Sequence, residues 1–150
     1  MKTVLAFFAF IVLAFFSCNS GKKTLSSDSL FFSDASRVWK LNSMEDWVPA
    51  EIEKQIRFLV FSKNENRAYG SGGCNRFSGS FSLSGEKGIQ FGPMAATRMA
   101  CVNMQTEDRF FKLLAAVKSY QVKSRNLILT GTLDGKDFKL NFSAGNLKGK

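Results

Sequence analysis

The residues best suited to chemistry are three cysteines, Cys18, Cys74 and Cys101, in a chain of 150 residues that contains no histidine. The absence of histidine excludes Ser-His-Asp and Cys-His catalytic arrangements and a histidine general base. Zinc sites that need histidine are excluded as well, and three cysteines cannot form a four-cysteine metal site. We therefore expect no catalytic residue, no metal and no cofactor, and the three thiols must serve another purpose.

The N-terminus has the pattern of an export signal. After Met1-Lys2-Thr3, residues 4–16 form an unbroken apolar run of thirteen residues, which the small residue Ser17 follows. A positive start, an apolar run of about 7–15 residues and a small residue before the cleavage point describe a secretory signal peptide. As a helix, the run would span about 20 Å of a hydrocarbon core about 30 Å thick, which disfavours a transmembrane anchor. We predict that residues 1–17 are removed as a signal peptide.

The cleavage point has a second feature, because Phe15-Phe16-Ser17-Cys18 resembles a bacterial lipobox. In such a sequence the cysteine becomes the first mature residue and carries lipid, so we predict lipidation of Cys18. Two or more acyl chains suffice for stable membrane attachment. Ser20, with no acidic residue beside it, resembles lipoproteins sorted to the outer membrane, where this protein would face the periplasm. A plain secretory signal, which would give a soluble periplasmic or secreted protein, is the alternative.

Composition divides the mature chain into three parts. Residues 18–36 hold the lipidated cysteine and a polar, serine-rich stretch that predicts a flexible tether, residues 37–143 form the folded domain, and residues 144–150 form a C-terminal tail.

The 21 lysines and arginines of the whole chain against 12 acidic residues give a formal net charge of +9. This charge suits an anionic membrane surface or another anionic envelope component. Nucleic acid is not an expected partner of an exported protein.

Cys74 and Cys101 are the thiols that remain once Cys18 carries lipid. An exported protein meets oxidising conditions, in which disulfides persist, and two is an even number of cysteines. A bridge would close a loop of 28 residues, counted from Cys74 through Cys101, and chain entropy assigns it about 3.5 kcal/mol. The alternative is a pair of buried free thiols that act as small apolar groups. A redox-catalytic role is not expected, because it usually needs a Cys-x-x-Cys spacing.

The apolar pattern of the domain predicts an α+β fold. Residues 77–83 alternate, with Phe77, Phe81 and Leu83 on one face and serines on the other, as a half-buried strand does. Residues 127–130 and 138–142 predict a closing hairpin around an Asp-Gly turn. By contrast, the apolar residues of 103–119 recur at helical spacing. We expect a strongly curved, barrel-like antiparallel sheet of six to eight short strands, packed against one helix.

Several motifs occur in a familiar order: Trp39-Lys40-Leu41, then Gly72-Gly73-Cys74-Asn75, then Thr97-Arg98-Met99-Ala100-Cys101, then the helical segment. In this order they resemble the META domain family of HslJ-like proteins, over about residues 38–142. The resemblance implies a cell-envelope protein linked to tolerance of stress, either heat or antibiotic. It brings no known catalytic reaction, so no catalytic residue is carried over.

The residues around Cys74 have interpretations of their own. The glycines before Cys74 favour a tight turn or bulge, and a backbone cradle for phosphate is the alternative, although no Gly-Lys-Ser/Thr follows them. Asn75 is expected to pin nearby backbone. Arg76 and Arg98 would lie close together if the two motifs are adjacent, and two guanidinium groups can hold an anion. Asn75, Arg76 and Arg98 are therefore the candidate binding residues, with solvated surface arginines as the alternative.

Three classes of function follow from these features. The first is an exported, lipid-anchored and non-enzymatic META domain protein, which supports the envelope under stress by binding an envelope protein or an anionic component. The second is a binder of a small ligand, or an inhibitor, that uses the mouth of the curved sheet. The third is a hydrolase with two carboxylates among Glu45, Asp46, Glu51 and Glu107, which have no pairing pattern in the sequence.

Overall fold

The computed structural model describes residues 37–45, 48, 55–62, 64–102 and 104–145. The predicted signal peptide, Cys18 with its tether, and the last five residues lie outside this part of the chain. The described strands are β1 (Val38–Met44), β2 (Phe58–Ser62), β3 (Arg67–Ser71), β4 (Arg76–Ser84), β5 (Gly88–Ala96), β6 (Val117–Lys123), β7 (Asn126–Leu133) and β8 (Lys136–Gly145). The helix α1 (Met104–Ala115) lies between β5 and β6 in the sequence.

The strands form a closed antiparallel barrel in which each pairs with the next and β1 pairs with β8. Of the two predicted closing strands, β7 and β8 form the expected hairpin, with Leu133 paired to Lys136. Asp134 and Gly135 both have positive φ angles, 54° and 74°, which is the backbone that a two-residue hairpin turn requires. The predicted fold class, a barrel-like antiparallel sheet with one helix, is confirmed.

Alternation along the strands explains the core. In β4, Phe77 and Phe81 face inward and are buried, whereas Ser80 faces outward. Leu83 shares the inward face, but it lies near the end of the strand and stays 36% exposed. Trp39, Phe61, Leu129 and Leu140, from four other strands, complete an interior that large side chains fill. The barrel is therefore packed with side chains in the manner of small barrels.

Helix α1 closes the barrel with its apolar face. Phe110, Leu113 and Leu114 have no exposed surface. The ring of Phe110 lies 6.1 Å from that of Phe77 on β4 and 6.5 Å from that of Phe142 on β8. Because β4 and β8 are four strands apart in a ring of eight, they form opposite walls, and Phe110 bridges the space between them. No helix in the described ranges is long and apolar enough to cross a membrane.

The seam between β5 and β6 is short. In the described chain Gly88 pairs with Ser119, and the Tyr120 N–H donates to the Lys87 carbonyl at 2.9 Å. Strand β6 begins at Val117. From the Gly88–Ser119 pair β5 continues to Ala96, whereas β6 begins only two residues before Ser119, so among the described residues the later part of β5 has no paired residue on β6. Helix α1 stands beside this part of β5 and contacts it. The helix and the overhanging strand together make the wall of the site that follows.

Candidate functional site

The side chain of Asn75 joins three parts of the chain. Its Oδ1 accepts hydrogen bonds from the Thr97 hydroxyl at 2.8 Å and from the Met99 N–H at 2.7 Å. Its Nδ2 donates to Glu107 Oε2 at 2.6 Å and to the Met99 carbonyl at 3.3 Å. These four bonds use the two donors and two acceptor sites of the amide, which is only 3% exposed. The pinning role suggested by the sequence thus describes what Asn75 does in the fold.

Glu107 occupies the centre of the glycine-rich turn. Its Oε1 accepts hydrogen bonds from the backbone N–H of Cys74 at 3.0 Å and of Asn75 at 2.6 Å, and the residue is only 2% exposed. The turn is closed by the Gly72 N–H, which donates to the Asn75 carbonyl at 2.9 Å. The N–H groups that such a loop would offer to a phosphate are therefore taken by a carboxylate of the protein's own helix.

Gly72 has a steric reason to be glycine. A Cβ atom at this position would lie 2.7 Å from both Glu107 Oε1 and the Phe111 ring. The helix can approach the turn closely only because this position lacks a side chain. Gly70 is similarly confined, since a Cβ there would collide with the carbonyl of Phe58 on the neighbouring strand.

A disulfide joins Cys74 to Cys101, with 6.2 Å between the Cα atoms. The bridge that cysteine counting favoured is present in the structure, and the free-thiol alternative is not. It connects the glycine-rich turn to the segment that leads into α1. The covalent bridge and the Asn75–Glu107 hydrogen bonds therefore hold the same junction between β4, β5 and the helix.

Arg76 and Arg98 belong to the two motifs that this junction brings together. The backbone N–H of Arg76 donates to the Thr97 hydroxyl at 3.1 Å, and the Arg76 carbonyl accepts from the Thr97 N–H at 3.0 Å. Arg76 thus lies opposite Thr97, the neighbour of Arg98, and both arginines are exposed. The two motifs are therefore adjacent, as a shared anion site would require, and the contacts that show it are those of the Arg76 backbone with Thr97.

Two adjoining cavities open beside the junction, between β5 and α1. One has a volume of about 670 Å³ and is lined by residues that include Asn75, Thr97, Arg98 and Asp108. The other has a volume of about 350 Å³ and is lined by residues with apolar side chains, including Phe91, and by their backbone. The two share Met94, Ala96 and Phe111. Together they form what we call the β5–α1 groove.

A larger cavity of about 920 Å³ lies elsewhere, between the end of β1, the helix and strands β6–β8. Its lining includes Lys118, Lys139 and the ion pair of Glu45 with Arg109, whose Nη2 and Nε lie 2.6 and 2.9 Å from the carboxylate oxygens. The hydrogen bond from Arg109 holds the pKa of Glu45 below its ordinary value of 4.5. None of the motif residues lines this cavity. We therefore place the candidate site at the smaller β5–α1 groove, which Asn75, Thr97 and Arg98 line.

The structure separates the carboxylates considered for hydrolysis. Glu45 lines the larger cavity and is paired with Arg109, whereas Glu107 is buried in the turn. Asp46 and Glu51 lie outside the described residues. Within the part of the chain that the structure describes, no group of three or more acidic residues and cysteines could hold a metal ion.

Arg57 is a further residue of the junction that the sequence did not single out. It is 3% exposed, and its guanidinium carbon lies 3.3 Å from where a Cβ of Gly73 would be. Gly73 has a φ of +117°, a backbone conformation that favours glycine. The turn therefore packs between the carboxylate of Glu107 and the guanidinium of Arg57. Nothing in the local sequence distinguishes Arg57 from the other lysines and arginines near it in the chain.

An eight-stranded antiparallel barrel, closed by one helix and held by an Asn–Glu–disulfide junction, is the structural class that these observations define. A family model described as the META domain matches residues 17–144. The chain belongs to the META domain family, as its motifs predicted.

Two solved structures are similar to this chain. An NMR structure of a protein from Burkholderia xenovorans is 26% identical with a TM-score of 0.57, over 73% of this chain and 82% of that one. A crystal structure of a DUF4847 family protein from Bacteroides vulgatus is 14% identical with a TM-score of 0.56, over 81% of this chain and 99% of that one. The second likeness shows the fold alone. No curated protein matches the chain.

Proposed function

We propose that this META domain protein is exported, anchored by lipid at Cys18, and supports the cell envelope under heat or antibiotic stress by binding a partner without catalysing a reaction. One observation carries the proposal. Asn75 and Thr97 of the family motifs and Glu107 of the helix form side-chain hydrogen bonds with one another and with nearby backbone. They fix the walls of the β5–α1 groove, and a groove with fixed walls is suited to recognition.

The location rests on other features. The apolar N-terminal run and the lipobox-like sequence before Cys18 support export and lipid attachment. The Cys74–Cys101 bridge agrees with an oxidising compartment. An outer-membrane lipoprotein that faces the periplasm fits both features, and a soluble periplasmic protein fits the second of them.

Lipid anchoring is tested by labelling the host cells with a radioactive fatty acid. We expect the wild-type protein to carry label and to sediment with the outer membrane. Cys18→Ser should abolish both, whereas Ser33→Ala, a matched change within the tether, should alter neither. A Cys18→Ser protein that still sediments with membranes would contradict the anchor.

Partner binding is tested by crosslinking in intact cells, with and without heat or antibiotic stress. Recovery of one envelope partner in stoichiometric amount, together with lower survival of a deletion strain that wild-type protein restores, is the expected result. Reproducible turnover of an envelope substrate by the purified protein would overturn the non-enzymatic role. Normal survival of the deletion strain under both stresses would overturn the role in stress tolerance.

A small apolar ligand is the second candidate, and the 350 Å³ cavity beside Phe91 and Phe111 favours it. The mouth of the barrel that α1 covers is filled by Phe110, Leu113 and Leu114, so such a ligand would enter from the side. Native mass spectrometry of the protein from host cells separates the two candidates, because a retained ligand adds a fixed mass.

A further inference from the structure

We propose that the cavity of about 920 Å³ beside strands β6–β8 binds a phosphate monoester group, which Lys118 and Lys139 hold from two sides over the hydroxyls of Ser119 and Thr130. We call this cavity, which these four residues help to line, the β6–β8 cavity. The inference goes beyond the partner-binding role proposed above, because it concerns a different cavity from the β5–α1 groove. Strand register, a pair of hydroxyls and the charge of the lining support it.

Strand register places Lys139 and two hydroxyl side chains in one row. Thr130 of β7 pairs with Lys139 of β8 on one side and with Ser119 of β6 on the other. Residues directly opposite each other in an antiparallel sheet have their side chains on the same face. Lys139 is exposed between buried Phe138 and Leu140, so the row lies on the outer face of the sheet.

A β-bulge brings Lys118 to the same row. The register between β6 and β7 shifts between Val117 and Ser119, so Lys118 is an extra residue opposite β7, and it is exposed. Strands β6 and β8 lie on either side of β7, about 10 Å apart. Lysine carries its charge on a long and flexible stem. The ammonium groups of Lys118 and Lys139 can therefore both reach an anion that lies between them.

The hydroxyls between the two lysines supply a hydrogen-bond donor. Ser119 Oγ and Thr130 Oγ1 lie 2.6 Å apart. In such a pair one hydroxyl donates its proton to the other, and the accepting hydroxyl keeps its own proton. That proton and the two ammonium groups make three donors around one position. A phosphate group has three strong acceptor oxygens, whereas a carboxylate has two, so the arrangement fits phosphate better.

The charge of the lining suits a dianion. Four cationic and two acidic side chains line the β6–β8 cavity: Arg109, Lys118, Lys136, Lys139, Glu45 and Asp137. Arg109 donates to Glu45, and Asp137 accepts from the Thr132 hydroxyl at 2.7 Å. Four positive charges against two negative charges leave a net charge of +2. A phosphate monoester carries about −1.5 to −2 at pH 7. The volume of the cavity leaves room for the organic part of the ester.

The test uses the mature chain with Cys18→Ser, which no acyl chain attaches to membranes. Glycerol 3-phosphate is titrated at constant ionic strength while the backbone amides are followed by NMR, and acetate is the comparison. The ester should shift the amides of Lys118, Ser119 and Thr130 saturably, and acetate should bind at least about tenfold more weakly. Equal binding of the two anions, or shifts spread over the whole surface, would overturn the proposal.

Substitutions locate the binding. Lys118→Gln and Lys139→Gln should each weaken binding about threefold and together about tenfold. Lys123→Gln is the matched control, because Lys123 is an exposed lysine of β6 that does not line the cavity, and it should change binding less than about 1.5-fold. Thr130→Val removes one hydroxyl and should weaken binding about threefold. Equal effects of Lys123→Gln and Lys118→Gln would indicate attraction by overall charge and would refute the site.

Vesicles distinguish a lipid headgroup from a soluble ester. If the phosphate belongs to a lipid, the chain should sediment with vesicles of phosphatidic acid but not of phosphatidylcholine, and the two lysine substitutions together should weaken this binding about tenfold. If it belongs to a soluble compound, glycerol 3-phosphate should bind and the vesicles should not. Both results support a phosphate site. Binding of neither would overturn it and would leave partner binding at the β5–α1 groove untouched.

Discussion

Replacing Glu107 with glutamine changes one carboxylate oxygen to an amide group and keeps the shape of the side chain. In the native protein the carboxylate accepts from Cys74 N–H, Asn75 N–H and Asn75 Nδ2 at 3.0, 2.6 and 2.6 Å. In the variant, the glutamine oxygen can still accept from the two backbone donors. Its NH2 group must then face Asn75 Nδ2, so that two donors confront each other in a buried site.

The expected loss follows from these three bonds. Hydrogen bonds to charged groups contribute about 1.5–3 kcal/mol each and neutral ones about 0.5–1.5, and a buried donor without a partner costs about 1–3 kcal/mol. Weakening two bonds by about 1 kcal/mol each and losing the third, which contributes about 2 kcal/mol, gives a loss of about 4 kcal/mol for Glu107→Gln. A domain of this size has a free energy of unfolding of about 5–15 kcal/mol, so the variant should still fold.

A second substitution tests the cause of the loss. Asn75→Asp alone places two carboxylates against each other and should destabilise by at least as much. Combined with Glu107→Gln, it restores a donor facing an acceptor, because the glutamine NH2 can donate to the aspartate. The coupling free energy of this double-mutant cycle should therefore favour the double variant by about 2 kcal/mol.

Urea unfolding of the mature chain with Cys18→Ser, followed by tryptophan fluorescence under oxidising conditions, measures all four free energies of unfolding. Asp108→Asn is the matched control, since Asp108 is the exposed neighbour of Glu107 on the same helix, and it should change stability by less than about 0.5 kcal/mol. A Glu107→Gln loss as small as that of the control, or a coupling near zero, would refute the assigned network.

Three further predictions concern other parts of the fold. Reducing the Cys74–Cys101 bridge should lower the free energy of unfolding by about 3.5 kcal/mol in urea titrations, and an unchanged midpoint would contradict its stabilising role. Gly70→Ala should cost about 3 kcal/mol, because its Cβ meets the neighbouring strand's carbonyl; a thermal midpoint equal to wild type would show that the strands can separate there. The pKa of Glu45 is lowered in the folded protein. The pair with Arg109 therefore stabilises the fold at pH values above the pKa that Glu45 has in the unfolded chain, and this contribution is lost as the pH falls through the pKa of the folded state. Both side chains are about a third exposed, so the stability lost between pH 6 and 3 should be less than about 1 kcal/mol smaller in Arg109→Met than in the wild type, as measured by unfolding at each pH. A larger difference would indicate that Arg109 has a further acidic partner.

Local patterns in the sequence were enough for the fold class. Alternating residues in β4, helical spacing around Phe110 and the Asp134-Gly135 turn each report a backbone conformation that neighbouring residues impose. Their sum predicted a curved antiparallel sheet with one helix, which the structure confirms. The Cys74–Cys101 bridge also came from counting, since export leaves two thiols in an oxidising compartment.

Only the tertiary structure showed what Glu107 does. In the sequence it is one of several acidic residues near the start of a helix, a position that the helix dipole favours in any protein. Its partners lie 32 and 33 residues earlier in the chain, so no spacing rule connects them. The burial of Arg57 behind Gly73 has the same origin, because it depends on how the turn meets the residue that precedes β2.

The sequence by itself determined strand β4, the closing hairpin with its turn, the position of the helix and the pairing of cysteines, because each of these depends on near neighbours or on a count. The groove depended on the closure of the barrel. Its strand wall exists because β5 continues to Ala96 beyond its pairing with β6 at Gly88 and Ser119, and a whole helix separates these two strands in the chain. Register between such strands is fixed by packing across the interior, and that packing appears only when all eight strands and the helix are in place.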